Sequence, residues 1–232
     1  MRCKSLHAAV VGLLLILLAS VSPAQAQTVS LDNLSFDTGY GTIRVPRVEV
    51  EGSSLSSEEL RALFDMSQIA SLGARMSRLN ARSLRIPEIQ FEMRMPLPPN
   101  PQGQRVGDGL VKVTMSDLAL TDIAAGRARL AALAGSAMTL DFGSDRIASE
   151  ARKLSVTDLD LAALIRVYAD KAAPGEMPRQ IYGVASFDGM VLTAPKFEMS
   201  FGSMAGKGYK ARPLKDGFGG YLKSMQQVSA AA

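Results

Sequence analysis

The stretch VTMSDLALT, residues 113–121, is one of four copies of a short motif in this chain. The others are VSLDNLSFD from residue 29, LSVTDLDLA from 154 and ASFDGMVLT from 185. In each copy the apolar residues occupy positions 1, 3, 6 and 8, so the alternation typical of a strand slips after position 3. One inserted residue, a β-bulge, would return all four apolar side chains to the same face. The repeated motif therefore predicts a bent strand, or a tight strand-turn-strand, with one apolar face on the core.

The fifth position of the motif indicates where the strand turns. It is occupied by Asn33, Asp117, Asp158 and Gly189, which are residue types that tolerate a positive φ. A carboxylate site is the alternative interpretation of the two aspartates. The Asn and the Gly favour the structural interpretation, because a turn accepts either residue and acid catalysis accepts neither.

Two segments show helical spacing. Ser56 and Glu59 have the spacing of a capping box, and an apolar stripe with a phase slip follows over residues 60–79. This pattern predicts one broken helix or two helices. After the third copy of the motif the spacing is again helical, with Thr157 or Asp158 as the expected N-cap.

Alternating apolar residues predict further strands at 41–52 and 83–95. Pro46 is expected to place the first of them at a sheet edge or at a bulge, because proline cannot donate to a ladder. The segment 126–142 could be strand or helix, and its glycines at 126, 135 and 143 favour a strand. Residues 96–109 are rich in Pro and Gly, and we expect them to form an exposed loop within a long hairpin.

Together these elements predict an α+β, β-rich fold. We expect mainly antiparallel sheet built from pseudo-repeated bent strands, with helices on one face. The domain is expected to span 27–216, in halves of about 27–110 and 111–216, and residues 217–232 are expected to form a flexible or short helical tail. The spacing does not decide whether the two halves form one sheet or two.

The N-terminal residues have the features of a cleavable signal peptide. Arg2 and Lys4 precede an apolar run over about 8–19, and a small-residue triplet, 24–26, ends the segment. The run is shorter than the roughly 20 residues that span a bilayer. We therefore expect cleavage after Ala26, no transmembrane span in the mature chain, and a periplasmic or secreted protein.

The exported protein should begin at Gln27 and contain no titratable thiol, because Cys3 precedes the cleavage point. Intact-mass measurement of exported protein tests this prediction directly. A mass that still includes residues 1–26 would contradict it.

The composition of the mature chain excludes several kinds of chemistry. Cys3 and His7 are the only cysteine and histidine, and both lie in the predicted signal peptide. Disulfides, thiol nucleophiles, His-based triads and Cys or His zinc sites are thereby excluded. We predict no cofactor, no metal site and no catalytic residue. Without Arg2 and Lys4 of the predicted signal peptide the net charge falls from +4 to about +2, an ordinary balance, and the lack of long basic runs also argues against nucleic acid as a partner.

Paired carboxylates are the remaining route to an enzyme. Asp158 with Asp160, and Glu88 with Glu92, are the candidate pairs, and neither has a supporting motif. A carboxylate-dependent secreted hydrolase is therefore one alternative for the function.

One local basic cluster is a candidate contact for an anionic lipid or polyanion. It consists of Lys207, Tyr209, Lys210, Arg212 and Lys215. A solvated charged surface is the alternative interpretation of the same residues.

Over nearly all of its predicted mature length the sequence resembles secreted bacterial proteins of unknown function that carry phrases like IPEIQFEM, DLALTDIAAGR and DLDLAALIRVYADK followed by IYG. The order of bent strand, strand, short helix and strand is also similar to the repeating units of AsmA-like envelope proteins. The β-grooves of those proteins are associated with lipid transport or envelope homeostasis. This chain is much shorter than they are, so no bridge-like role is expected.

The leading functional prediction is a non-enzymatic envelope protein that binds a lipid, an apolar ligand or a partner through a β-rich face. A structural module that assembles with other envelope proteins through an exposed sheet edge is a second alternative, beside the hydrolase.

Overall fold

The structure is a computed structural model that describes residues 28–37, 41–65, 69–96, 107–142 and 145–217. The predicted signal peptide, the middle of the Pro-rich segment and all of the predicted tail except Gly217 lie outside these residues. The strands are β1 (Thr28–Asp37), β2 (Gly41–Glu51), β3 (Ala81–Pro96), β4 (Asp108–Ala124), β5 (Arg127–Phe142), β6 (Asp145–Asp160), β7 (Arg179–Gln180), β8 (Val184–Phe187), β9 (Met190–Ala194), β10 (Phe197–Phe201), β11 (Met204–Lys207) and β12 (Lys210–Ala211). The helices are α1 (Ser57–Leu63), α2 (Ile69–Met76) and α3 (Leu161–Ala169).

A single antiparallel sheet of ten strands contains most of the described chain. Strands β1 to β6 follow one another in sequence order, β8 and β9 both pair with β6, and β11 and β10 lie outside them. Strands β7 and β12 form a separate two-stranded sheet. The prediction of a β-rich, antiparallel protein with few helices is confirmed. Both predicted halves share the large sheet, and the boundary between residues 110 and 111 falls inside β4.

The Pro-rich segment connects a hairpin, as expected, but it is shorter than predicted. Pro96 is the last residue of β3 and pairs with Asp108 of β4. Residues 96, 108 and 109 therefore belong to strands rather than to the loop.

The fifth position of every motif copy has a positive φ, as predicted. The angles are 57° at Asn33, 51° at Asp117, 53° at Asp158 and 143° at Gly189. In β1 the buried residues on either side of Asn33 are Leu31 and Leu34, so the apolar face continues through the turn.

The predicted inserted residue, however, is wrong. Asp32 pairs with Arg47 and Leu34 pairs with Val45, so one residue of each strand lies between these two pairs. A β-bulge would place two residues opposite one. Instead, the alternation of side chains between the two faces shifts by one residue in both strands at the same point, since the partner strand also exposes two successive residues there. We call such a gap in the ladder, where both strands slip together, an interruption.

Prolines lie at these interruptions. The constant register places Pro46 opposite Asn33 and Pro87 opposite Asp117. Because the ladder is already open at these points, the missing proline N–H removes no hydrogen bond. The expectation that Pro46 marks an edge strand is therefore wrong: β2 pairs with both β1 and β3.

A second series of interruptions crosses the sheet nearer the helices. Asp122 on β4 has a φ of 52° and lies opposite Arg129 on β5. Asp158 on β6 lies opposite the same arginine from the other side. The exposed guanidinium of Arg129 donates a hydrogen bond of 2.8 Å from Nε to Asp122. Two positive-φ aspartates therefore flank one arginine across three neighbouring strands.

Two of the described helices, α1 and α3, begin at side-chain caps. Before α1, Ser56 and Glu59 form the predicted capping box, with the Glu59 N–H 3.2 Å from Ser56 Oγ and the Ser56 N–H 2.9 Å from Glu59 Oε2. These hydrogen bonds from Ser56 lower the pKa of Glu59. Before α3 the cap is Asp160, whose Oδ1 accepts the Ala163 N–H at 2.8 Å. The expected caps Thr157 and Asp158 are wrong because β6 continues to Asp160.

All three helices pack on one face of the sheet. Their buried residues join the apolar side chains of β1 to β6 in a single core. The helical members of this core are Leu60, Leu63, Leu72, Met76, Ala162 and Ala163. Of the two predicted alternatives, one broken helix or two helices, the structure has two helices, since α1 ends at Leu63 and α2 begins at Ile69.

Candidate functional site

Rows of apolar residues run across the face that carries the helices. Residues paired on neighbouring strands lie on the same face of a sheet, so the registers trace each row. The first row consists of Phe36, Ile43, Phe91, Val113, Met138, Ser149, Leu192 and Met199. The second row consists of Val29, Val50, Leu84, Leu120, Ala131, Val156, Ala185 and Gly206. The face is therefore apolar across the full width of the sheet.

The two rows differ in how much water they contact. Leu84 and Leu120 in the second row are 2% and 3% exposed, whereas Met138 and Met199 in the first row are 37% and 43% exposed. The helices bury the second row, because their apolar residues share one core with Leu84 and Leu120. Among the described residues of the first row, Phe36 on β1 and Ile43 on β2 are the ones packed against that core.

Element lengths explain this partial cover. The helices have seven to nine residues and so extend about 10 to 14 Å. Strands β3 to β6 have 16 or 17 residues and extend about 50 Å. Short helices at one end of long strands leave the apolar face at the other end uncovered by any described residue.

We call the uncovered region the open face. Its exposed members all lie on the helix-bearing side of β4, β5, β6, β10 and β11. They are Met115, Met138, Leu154, Phe197, Met199 and Met204. At about 4.8 Å between strands, the five strands from β4 through β6 and β9 to β10 are about 19 Å wide. A continuous exposed apolar patch of this kind marks an interaction or ligand-binding surface.

A polar pair lies at the far end of β5 and β6, on the face opposite the open face. Asp141 and Arg146 pair across the β5–β6 hairpin, and their side chains form an exposed ion pair. The hydrogen bond from Arg146 lowers the pKa of Asp141. The arginine therefore favours the ionised form of this carboxylate.

The opposite face of the sheet has a different character. A shallow depression of about 330 Å³ lies there, beside the interruption at Asp117. Its lining consists mostly of small and polar side chains, including Thr114, Ser116, Gly135, Glu150 and Arg152. Within the described ranges no three His, Cys, Asp or Glu side chains are grouped to hold a metal ion.

Three of the candidate carboxylates, Asp117, Asp160 and Glu88, have hydrogen-bond partners. Asp117 Oδ1 accepts a hydrogen bond of 2.7 Å from Arg85, and that bond raises the pKa of Arg85. Asp160 caps α3, and Asp158 occupies a positive-φ position. Glu88 accepts a hydrogen bond from Gln90 on the same strand. These contacts give the aspartates roles in backbone geometry and helix capping.

The basic cluster is exposed and partly engaged in local contacts. Tyr209 stacks on Tyr182 with ring centroids 5.1 Å apart, and Arg212 donates to the carbonyl of Glu176 at 3.0 Å. Lys207 ends β11 and Lys210 lies in β12. Tyr209 and Arg212 therefore pack the small β7–β12 sheet, which leaves the surface-contact role of the cluster a prediction.

Sequence reasoning predicted the open-face residues only as core. Met115 and Leu154 are apolar positions of the repeated motif, which was expected to face the interior. The same alternation is produced by covered and by uncovered strands, so the sequence carries no signal for their exposure.

Comparison with protein-family models, curated proteins and solved structures found no match. None of the helices in the described ranges is long and apolar enough to cross a membrane.

Proposed function

We propose that this chain is a non-enzymatic envelope protein, periplasmic or secreted, that binds the acyl chains of a lipid on its open face. The observation that carries the proposal is the exposure of Met115, Met138 and Met199 on a sheet face whose other half is buried. Covering these side chains removes apolar surface from water, at about 25 cal/mol per Å².

Size and composition favour an acyl chain as the occupant. The open face is about 19 Å wide, and one leaflet of a bilayer's hydrocarbon core is about 15 Å thick. The first row contains one polar side chain, Ser149, among its apolar members, so the contacts available are mainly dispersion and apolar burial. Methionine suits a mobile ligand because its unbranched side chain adapts to different shapes.

Two expectations from the sequence agree with this assignment. The signal peptide predicted at 1–26 would deliver the chain to a compartment that contains envelope lipids. The resemblance to AsmA-like proteins implies a β-groove associated with lipid transport. Both remain proposals for this chain.

Met138→Lys should abolish or strongly reduce binding of a long-chain fatty acid or phospholipid, because it places a charge in the middle of the open face. Met138 is already 37% exposed, so the substitution should leave the fold intact. The measurement is displacement of a fluorescent fatty acid, together with native mass spectrometry of co-purified lipid.

Met177→Lys is the matched control. Met177 is 79% exposed and lies between α3 and β7, away from the open face, and the substitution is chemically identical. We expect it to bind lipid like the wild type. Equal binding by the Met138→Lys and Met177→Lys variants, or no binding by the wild type, would contradict the proposed function.

A structural module that assembles through a sheet edge is the second candidate, and one observation favours it. Strands β10 and β11 form an exposed edge of the sheet. The third alternative, a carboxylate-dependent hydrolase, finds no support in the pair Asp158 and Asp160, since Asp160 caps α3.

A further inference from the structure

We propose that two copies of this chain pair with each other through β10 and β11, so that their sheets and their open faces become continuous. Among the described strands, β10 pairs only with β9 and β11 only with β8. Residues 197–207 are exposed apart from half-buried Phe201. An edge of this length with unsatisfied backbone groups is a template for a further antiparallel strand.

Strands β10 and β11 act as one edge strand with an interruption in its middle. Phe201 pairs with Met190, and Met204 pairs with Phe187, so two residues lie between these pairs on each side. The interruption of the edge strand is therefore at Gly202 and Ser203. Inside the sheet it faces the interruption at Gly189 on the neighbouring strand.

The interruptions select one register for the second copy. They face one another in the pairs β1–β2, β3–β4 and β5–β6, and both strands change phase there. In a pair formed by two copies of the edge strand, the two interruptions face each other when the two-fold axis passes between Gly202 and Ser203. A shift by one residue would place apolar side chains opposite polar ones. A shift by two residues would place the interruption of one copy opposite a regularly paired part of the strand in the other copy.

The selected register brings apolar residues together on the same face. Phe201 lies opposite Met204 of the second copy, and Met199 lies opposite Gly206 of the second copy. Met199 and Met204 belong to the open face, and Phe201 and Gly206 lie on the same face of the sheet. Phenylalanine and methionine make favourable sulfur–aromatic contacts. The apolar surface would thus continue from one copy into the other.

The same register also brings opposite charges together. Glu198 and Lys207 are the only charged residues from Phe197 to Lys207. With the axis between Gly202 and Ser203, Glu198 lies opposite Lys207 of the second copy. The two-fold symmetry repeats this pair on the other side of the axis. Opposite charges at directly paired positions stabilise a sheet, and like charges destabilise it.

The other edge of the sheet has no such complementarity. Strand β1 contains Asp32 and Asp37 and no basic residue. Two copies of β1 would bring together acidic side chains only. Charge therefore favours self-pairing at β10 and β11 over self-pairing at β1.

The proposal is tested by measuring the oligomeric state by sedimentation, and we expect a dimer. The protein is expressed from the full-length sequence and purified after export. Glu198→Lys and Lys207→Glu should each weaken the dimer at least about tenfold, because each creates two like-charge pairs across the axis. The combined Glu198→Lys/Lys207→Glu variant restores opposite charges and should dimerise like the wild type. Glu150→Lys on the inner strand β6 is the control and should leave the dimer unchanged.

Cysteine cross-linking tests the register itself. In a Cys3→Ser background, Glu198→Cys with Lys207→Cys should form a covalent dimer on oxidation, because directly paired strand positions are within disulfide range. Neither single substitution should cross-link. Position 198 of one copy would lie nine residues, or about 30 Å, from position 198 of the other.

A wild-type protein that remains monomeric at about 100 µM would overturn the proposal. So would a charge-swapped combination that fails to recover the dimer, or a dimer insensitive to both single substitutions. These measurements need no lipid, so their failure is distinguishable from failure of lipid binding on the open face.

Discussion

Leu120→Ala should lower the free energy of unfolding by about 3 kcal/mol, because it leaves a cavity in a packed core. Met115→Ala, five residues earlier on the same strand and face, should cost only about 1 kcal/mol. The difference follows from their exposure, which is 3% for Leu120 and 36% for Met115. Urea denaturation of both variants and the wild type, with slopes compared, provides the measurement.

This pair of variants tests whether the open face is uncovered in solution. Residues outside the described ranges, or another protein, would bury Met115 if they packed on it. The cost of Met115→Ala would then approach that of Leu120→Ala. Such a result would contradict the proposed lipid-binding surface without affecting the description of the helix-covered half.

The turn positions within strands were predictable because they depend on local chemistry. Asn, Asp and Gly are the residues that accept a positive φ, and each copy of the motif places one where the apolar alternation slips. The type of irregularity was not predictable from one strand. A bulge and a paired interruption give the same alternation in one strand, and they differ only in how many residues the partner contributes.

Asp122 was missed although a local signal exists. The segment LALTDI at 118–123 matches LSVTDL at 154–159, which aligns Asp122 with Asp158. The match overlaps the copy of the motif that contains Asp117, so one strand carries two turn positions. Because the sequence prediction assigned one copy of the motif to each strand, it missed the second series of interruptions.

The open face was not predictable because it depends on tertiary cover. The apolar alternation predicted which face of the strands would carry the core, and that prediction holds at Leu84 and Leu120. The position of the helices along that face depends on packing between segments that are distant in the sequence. The periodicity of the strands does not predict this packing. A sequence with the same strands and longer helices would have a closed core.

Asp117→Val and Asp122→Val should each lower the free energy of unfolding by about 1 to 3 kcal/mol, because a β-branched residue resists a positive φ. Asp117→Gly, Asp117→Asn and the same changes at Asp122 should be nearly neutral. The ion pairs of Asp117 with Arg85 and of Asp122 with Arg129 are solvent-exposed, so their loss contributes little. Thermal melts compare the variants, with Ser116→Val as a control at a neighbouring strand position without positive φ.

A catalytic or metal-binding role for Asp117 predicts the opposite pattern. Asn and Gly would then abolish activity or metal binding and leave stability unchanged, whereas backbone geometry predicts that only Val is costly. The two positions lie five residues apart on β4, about 16 Å, and belong to different interruptions. The costs of the two Val substitutions should therefore add in the double variant. If the double Val variant had the same melting temperature as the wild type, a positive φ would not be needed at these two positions.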